Sequence, residues 1–310
     1  MDADAGRAPE DAAAGVVPTG AEPESAADAS AAIICDLVHA LRGRGEEFLA
    51  DPGIEPVHRL RVAIRRLRAL VAYLEPVLDR SVVKAADGLR PVARELGTLR
   101  DIDVLLGHLD GGGFALPEAV RARARHELIL RRSRLCVAVL NTVSASSWGR
   151  TLRLLRRGAA HTRTRGADAP ACEFLGSRLT RGWERLVPRW ADISELPDER
   201  RHRVRIDTKR LRYALEACEG RVEAPAGATE RVLAGLEDLQ DSLGALNDRR
   251  VAVALLASVG VDADLAQEGR DAEFGRARDA CARLIAGGPA WGASVGPVPA
   301  DGVRFSSVRP

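Results

Sequence analysis

Residues 57–74 read VHRLRVAIRRLRALVAYL, and an edited copy of this stretch returns at 201–215 as RHRVRIDTKRLRYAL. His202 repeats His58 at an offset of 144 residues, and the other shared basic positions keep the same offset. A repeat of this period, with its basic residues in fixed phase, indicates one duplicated structural unit. The shared positions are His58, Arg59, Arg61, Arg65, Arg66 and Arg68 in the first copy and His202, Arg203, Arg205, Lys209, Arg210 and Arg212 in the second.

Each copy predicts an amphipathic helix. On a helical wheel, His58, Arg61, Arg65 and Arg68 fall within about 80° of one another, while the leucine, isoleucine and valine side chains gather on the opposite side. Arg59 lies on the other flank of the polar half, and the second copy keeps the same phases as the first. We therefore expect one face of each helix to pack in a core and the other to present a dense basic surface.

The basic surfaces predict an anionic partner. Like charges three or four residues apart on a helix repel one another by about 0.2–0.5 kcal/mol per pair. Within the two copies the only acidic residue is Asp207, which lies off the basic arc. A single arginine-rich helix is usually a solvated face, but a repulsive surface that is kept twice in register favours a bound polyanion that offsets the repulsion.

A second block is also repeated, because residues 96–104, LGTLRDIDV, are echoed at 243–251 by LGALNDRRV. The glycines are expected to permit a close helix approach or a local bend, and the aspartates to cap the next helix or to hold basic arginines in place. Two carboxylates without a nearby histidine do not predict a metal site, and no metal is expected. The structural candidates are Gly97, Asp101, Asp103, Gly244, Asn247 and Asp248.

Composition predicts a helical globular protein. The 310 residues are 46% hydrophobic and 29% charged, aromatic residues make up only 4%, and alanine, leucine and arginine dominate. No apolar run approaches the roughly 20 residues that a transmembrane helix needs, and no secretory signal is apparent, so we expect a cytoplasmic protein without a membrane segment. The five cysteines form no C-x-x-C pair, which argues against a zinc site or a disulfide framework.

The apolar periodicity predicts an all-α protein of two antiparallel helical bundles, at about 31–160 and 171–286, joined by a linker at 161–170. An acidic tail at 1–29 and a Gly/Pro/Ser tail at 287–310 are predicted to be disordered. Ser30 is the expected N-cap of the first helix. The predicted helices are 31–50, 54–74, 82–99, 101–109, 117–140, 148–159, 171–188, 198–219, 229–245, 248–258 and 262–286.

These motifs resemble the CHAD family, the conserved histidine α-helical domain. The resemblance is carried, in order, by residues 57–68, 96–104, 202–216 and 239–248. It implies two pseudo-symmetric bundles whose basic surfaces converge on a groove that binds inorganic polyphosphate through the repeated basic positions and Arg100. The two histidines would add donors, so that binding is expected to tighten below about pH 6.5.

The resemblance implies a binding role without catalysis and without a cofactor. Family members often accompany a triphosphate-tunnel domain, but the E-x-E-x-K signature of that enzyme is missing here, so triphosphatase activity is not implied. We expect a scaffold, targeting or regulatory module of polyphosphate metabolism that associates with polyphosphate granules. Polyphosphate-metabolising enzymes and granule components are the candidate protein partners, and nucleic acid is expected only as a weaker competing polyanion.

A nucleic-acid-binding protein is the first alternative, because any polyanion is attracted to such a surface. Base stacking requires exposed aromatic side chains, and the two basic stretches offer only Tyr73 and Tyr213. Neither a helix-turn-helix pattern nor a zinc finger is apparent.

A phosphatase or phosphate-transfer enzyme that uses His58 or His202 is the second alternative. The sequence Arg201-His202-Arg203 lacks the R-H-G signature of histidine phosphatases, and no G-x-x-x-x-G-K-[ST] loop is present. We therefore do not expect catalysis.

Overall fold

The computed structural model describes residues 24–111, 116–164, 169–261, 270–289 and 291. Within these ranges the chain forms α-helices and no strand, which confirms the all-α prediction. None of the described helices is both long and apolar enough to span a membrane. The helices are α1 (Ala26–Ala50), α2 (Ile54–Leu74), α3 (Arg80–Asp87), α4 (Arg90–Asp110), α5 (Glu118–Ser144), α6 (Ser146–Thr164), α7 (Ala171–Ala191), α8 (Asp198–Ala217), α9 (Ala228–Ser258) and α10 (Arg270–Gly287).

The two basic stretches form α2 and α8, and each buries the apolar side that its sequence predicts. α2 begins after the break at 51–53 and ends before Pro76, whose ring cannot continue a helix. Leu60, Ile64 and Leu67 of α2 are fully buried. Burial of one such side chain contributes about 1.5–3 kcal/mol, so each helix is held by its apolar stripe. At the corresponding positions of α8, Val204, Thr208 and Leu211 are also buried.

Helices from both halves of the chain share one core. In the first half α1 packs on α2 and α6, and α4 packs on α2 and α5; in the second half α9 packs on α8 and α10, and α7 packs on the same two helices. Contacts of α2 with α8, α1 with α7 and α4 with α9 join the halves. A smaller apolar cluster, which includes Ile102, Leu128 and Leu256, lies where α4, α5 and α9 meet. The internal duplication itself stays a prediction.

The first helix begins earlier than predicted. Its N-cap is Ser25, whose hydroxyl accepts a hydrogen bond from the backbone N–H of Asp28 at 3.1 Å. Ser30, the predicted cap, is buried within α1. The predicted acidic tail was therefore too long, because residues 24–29 belong to the fold, and its remainder lies outside the described residues.

Backbone hydrogen bonds tie the start of α1 to the start of α7. The N–H of Ala26 donates to the carbonyl of Ala169, and the N–H of Ala171 donates to the carbonyl of Glu24, both at 2.9 Å. The first residues of each half are thus paired with the first residues of the other.

Two predicted helix breaks are wrong. α4 continues without interruption through residue 100, and α9 runs unbroken through 246–247. Asp101, Asp103 and Asp248 therefore stand inside helices and cannot cap one. The buried leucine and isoleucine residues keep helical spacing across both positions, and this packing outweighs the local preference of aspartate for a helix start.

The boundaries of the linker and of the C-terminal tail also need correction. α6 extends to Thr164, so the predicted linker overlaps a helix, and residues 165–168 lie outside the described part. Trp291, expected in a disordered tail, is only 2% exposed; its indole N–H donates to the hydroxyl of Thr180 at 3.1 Å, and its ring meets the ring of Trp183 edge-on at 5.8 Å. One buried aromatic side chain in a Gly/Pro-rich stretch carries no periodicity that a sequence pattern could reveal.

Candidate functional site

α2 and α8 lie side by side, and their basic faces line a groove of about 550 Å³, the α2–α8 groove. The carboxylates among its lining residues are Glu75 and Asp87, and a guanidinium nitrogen of Arg90 lies 2.8 Å from a carboxylate oxygen of Asp87. The groove is therefore strongly positive. Its basic and histidine side chains are Arg61, Arg65, Arg68 and Arg90 from the first half and His202, Arg205, Lys209 and Arg210 from the second.

Arg61 of α2 and Arg205 of α8 both line the groove. Burial, followed by the charge of Arg65, lowers the pKa of Arg61 to about 10, and Asp101 acts in the opposite direction. The pKa of Arg205 is also lowered, chiefly by burial, while Asp248 opposes that shift. Each guanidinium is thus partly desolvated and only partly compensated, which favours the approach of an anion.

Gly97 and Gly244 lie next to the guanidinium groups of these two arginines. A Cβ atom at position 97 would lie 3.9 Å from Nε of Arg61, and one at position 244 would lie 3.8 Å from Nη2 of Arg205. Nε of Arg205 is buried and makes no hydrogen bond to any described residue. An orphaned buried donor costs stability, and an oxyanion in the groove could satisfy it.

Lys209 lies among the arginines of the groove. Burial, followed by the charges of Arg205, Arg65 and Arg61, lowers the pKa of its ammonium group to about 7. Near neutral pH the side chain is therefore divided between its charged and neutral forms. A bound anion would favour the charged form, because opposite charges raise the pKa of an amine.

The two histidines differ in their surroundings. Nδ1 of His202 lies 2.8 Å from the side-chain oxygen of Asn247, whereas Nδ1 of His58 is buried without a hydrogen bond to any described residue. Burial lowers the pKa of both rings; the Asn247 bond opposes the shift at His202, and the charge of Arg100 adds to it at His58. The expected protonation below about pH 6.5 is therefore displaced to lower pH.

Part of the predicted binding set does not line the groove. Arg66 forms an ion pair with Glu216 of α8, and Nε of Arg59 lies 3.2 Å from a carboxylate oxygen of Glu47 on α1. Neighbouring helices thus supply the acids that the two basic stretches lack. The predicted residues outside the groove lining are His58, Arg59, Arg66, Arg100, Arg203 and Arg212.

Arg90 is a groove residue that sequence reasoning missed. It is the first residue of α4, next to Pro91, and its charge helps to lower the pKa of Arg68, where burial is the larger cause. No repeated motif includes Arg90, so the only available signal was a basic residue beside a helix-starting proline.

Asp103, an aspartate of the repeated block at 96–104, makes a structural contact outside the groove. Asp103 is buried and pairs with Arg132 of α5, so its charge is engaged away from the groove lining. In the part of the chain that the structure describes, no group of three or more histidine, cysteine, aspartate or glutamate side chains is arranged to hold a metal ion.

The sequence and the fold were each compared with those of known proteins. The sequence matches the CHAD domain family model over residues 32–257. The fold is similar to the crystal structure of the CHAD domain from the plant Ricinus communis, with a TM-score of 0.68 and 22% identity over 84% of this chain and 87% of that chain. It is also similar to PptA from Streptomyces chartreusis, with a TM-score of 0.54 and 19% identity over 85% and 96% of the respective chains. A search among curated proteins finds no match.

Proposed function

The chain belongs to the CHAD domain family, and on that premise we propose that it binds inorganic polyphosphate in the α2–α8 groove. The family is associated with polyphosphate binding in general. The observation that carries the proposal for this chain is the convergence of Arg61, Arg205 and Lys209, from two separate helices, on one groove with few carboxylates.

Polyphosphate suits the chemistry of this surface. It is a flexible chain with about one negative charge per phosphate, and it offers only charge and acceptor oxygens. Guanidinium groups match those oxygens in pairs, and each hydrogen bond to a charged group contributes about 1.5–3 kcal/mol net. The unsatisfied Nε of Arg205 and the desolvated ammonium of Lys209 would both gain from such a partner.

The proposed role is binding and not catalysis. Arginine forks along a groove give affinity and register without activating a particular bond. The protein would then act as a scaffold, targeting or regulatory module in polyphosphate metabolism. Polyphosphate granules in the cytoplasm are its proposed location, and granule components or polyphosphate-metabolising enzymes are its proposed partners.

Nucleic acid is proposed only as a weaker competitor. Apart from the imidazole of His202, Tyr213 is the one aromatic side chain among the described residues that line the groove, and it is buried, so bases find little to stack on. Competition between polyphosphate and single- or double-stranded nucleic acid at fixed salt tests this point. Equal affinity per charge would contradict a preference for polyphosphate.

The central experiment compares the polyphosphate affinity of the wild type, Arg61→Glu, Arg205→Glu and the double variant. Each single change should weaken binding at least about tenfold, and the double variant should be non-additive, because both side chains would contact one bound chain. Arg65→Gln serves as a milder variant if charge reversal impairs folding, which circular dichroism would reveal. Arg123→Glu on α5, outside the groove lining, is the matched control, and unchanged binding in the double variant would overturn the proposal.

A further inference from the structure

The α2–α8 groove continues past Arg210 onto α7. Arg210 lines the groove and also a depression of about 290 Å³ between α2, α7 and α8. Arg178, Arg185 and Arg189 of α7 line that depression as well. The sequence comparison of the two basic stretches did not reveal this surface, because the α7 arginines lie outside both copies.

A third depression adjoins the depression between α2, α7 and α8. It measures about 610 Å³, it shares Arg189 and Arg210 with the depression on α7, and it adds Arg200 and Arg203. Arg203 is one of the predicted binding residues that the groove itself does not include. The only acidic residue among those that line either depression, within the described part of the chain, is Asp207.

Asp207 fixes the junction between the surfaces. Its carboxylate accepts hydrogen bonds from Arg189 at 2.9 Å and from Arg210 at 3.0 Å. Both guanidinium groups carry further donors beyond these bonds, and both side chains are exposed. One carboxylate therefore positions two arginines at the point where the groove meets the second basic surface.

The floor of the α7 depression is closely packed. A Cβ atom at Gly182 would stand 2.3 Å from the hydroxyl oxygen of Tyr73, so only glycine allows α7 to approach α2 this closely. Nε of Arg178 donates to the backbone carbonyl of Tyr73 at 2.7 Å. Burial, followed by the charges of Arg181 and Arg185, lowers the pKa of Arg178, so the arginines of this surface repel one another as those of the groove do.

We propose that the second basic surface, comprising Arg178, Arg185 and Arg189 of α7 with Arg200 and Arg203 of α8, is a second section of the binding site that holds the continuation of a polyphosphate chain leaving the α2–α8 groove at Arg210. This inference rests on the proposed function of the groove and adds a preference for chain length. A short chain fills the groove alone, whereas a long chain contacts both sections. Contacts of the second section are then intramolecular and raise affinity without a second association step.

The test compares tripolyphosphate with long-chain polyphosphate at equal phosphate concentration and fixed salt. The double variant Arg185→Glu/Arg203→Glu should lose at least about tenfold in affinity for the long chain and change less than about twofold for tripolyphosphate. Both side chains are exposed, so the variant should fold. Arg123→Glu/Arg134→Glu on α5 reverses the same number of charges at exposed positions outside these three surfaces, and it should leave both affinities unchanged.

The outcomes separate this inference from the proposal that it extends. If Arg185→Glu/Arg203→Glu binds both ligands as the wild type does, or loses affinity for both equally, the second section is overturned while the groove stands. If Arg61→Glu/Arg205→Glu binds tripolyphosphate normally, the groove itself fails. If the affinity for the long chain falls as much in the α5 control as in Arg185→Glu/Arg203→Glu, the loss reflects net charge alone, and the inference is also overturned.

Discussion

The guanidinium of Arg205 lies directly over Gly244, where a Cβ atom would stand 3.8 Å from its Nη2 atom. That distance is an ordinary van der Waals contact, so alanine fits there, whereas the outer atoms of a larger side chain would compete with the guanidinium for space. Gly244→Ala should raise the free energy of unfolding by about 0.4–1 kcal/mol, because helix formation costs alanine less entropy than glycine. It should leave polyphosphate affinity nearly unchanged.

Gly244→Leu should instead displace Arg205 and weaken polyphosphate binding about tenfold, the equivalent of about 1.4 kcal/mol. Titration with polyphosphate, alongside urea unfolding, distinguishes lost affinity from lost stability. The pair Gly97→Ala and Gly97→Leu repeats the comparison beneath Arg61, where the contact is 3.9 Å. Wild-type affinity in both leucine variants would show that the two arginines do not need this space.

Binding should take up a proton at Lys209. Its pKa is about 7 in the free protein, and an anion in the groove raises it, so at pH 8 the bound state holds more protons than the free state. Affinity should therefore fall as the pH rises from 7 towards the pKa of the bound state. Calorimetry at pH 8 in two buffers of different ionisation enthalpy measures the uptake. Lys209→Arg, which stays charged, is the control, and equal uptake in both proteins would rule out Lys209 as the source.

Lys209 should also make the free protein less stable at low pH. Its folded pKa lies below its unfolded value, so between about pH 7 and 10.5 the unfolded chain binds more protons and stability rises with pH. Lys209→Met removes the charge at similar length, and it should stabilise the free protein by about 1 kcal/mol at pH 6. The difference should shrink towards pH 9. Urea unfolding at both pH values provides the measurement, and a constant difference would contradict the assignment.

The ion pair of Asp103 and Arg132 should contribute to stability and not to binding. Asp103→Ala leaves the Arg132 guanidinium without its buried partner, which should lower the free energy of unfolding by about 3–5 kcal/mol. Replacement of both residues by leucine should recover most of this loss. The folded fraction of each variant should bind polyphosphate as the wild type does, and a selective loss of affinity would instead link this pair to the groove.

Trp291 should anchor the segment that follows α10. Trp291→Ala should lower the free energy of unfolding by about 3–5 kcal/mol, because it removes a large buried side chain that packs on Trp183. Trp291→Phe keeps most of the contact but loses the hydrogen bond to Thr180, and should cost less. Thermal unfolding of the two variants checks the order, and equal stability of the alanine variant and the wild type would mean that this contact is dispensable.

The sequence correctly predicts those features that the geometry of a single helix determines. The alternation of Leu60, Ile64 and Leu67 with basic residues identifies the buried side of α2, because helical geometry alone relates those positions. The sequence does not predict contacts that depend on a neighbouring helix, such as the ion-pair partners of an arginine. Glu216 and Glu237 lie within ion-pairing distance of Arg212, and no wheel of α8 could show that Glu237 reaches it from α9.

The same limit explains the errors in the repeated block. Its Gly and Asp residues resemble a helix boundary, but the leucines around them pack on helices distant in sequence and keep α4 and α9 continuous. Family resemblance supplies the two basic helices and not their surroundings, so Arg90 and the arginines of α7 emerge only from the folded arrangement.

The hydrogen bonds that pair Glu24 and Ala26 with Ala171 and Ala169 bear on how this protein can be engineered. They cross between the halves at their first residues, and the shared core crosses again where α2 meets α8. Neither half can therefore be transplanted alone, since its removal would expose apolar surface and sever one wall of the groove. A fluorescent or affinity probe built on this scaffold must carry the fold from residue 24 to Trp291, with the reporter fused beyond those limits.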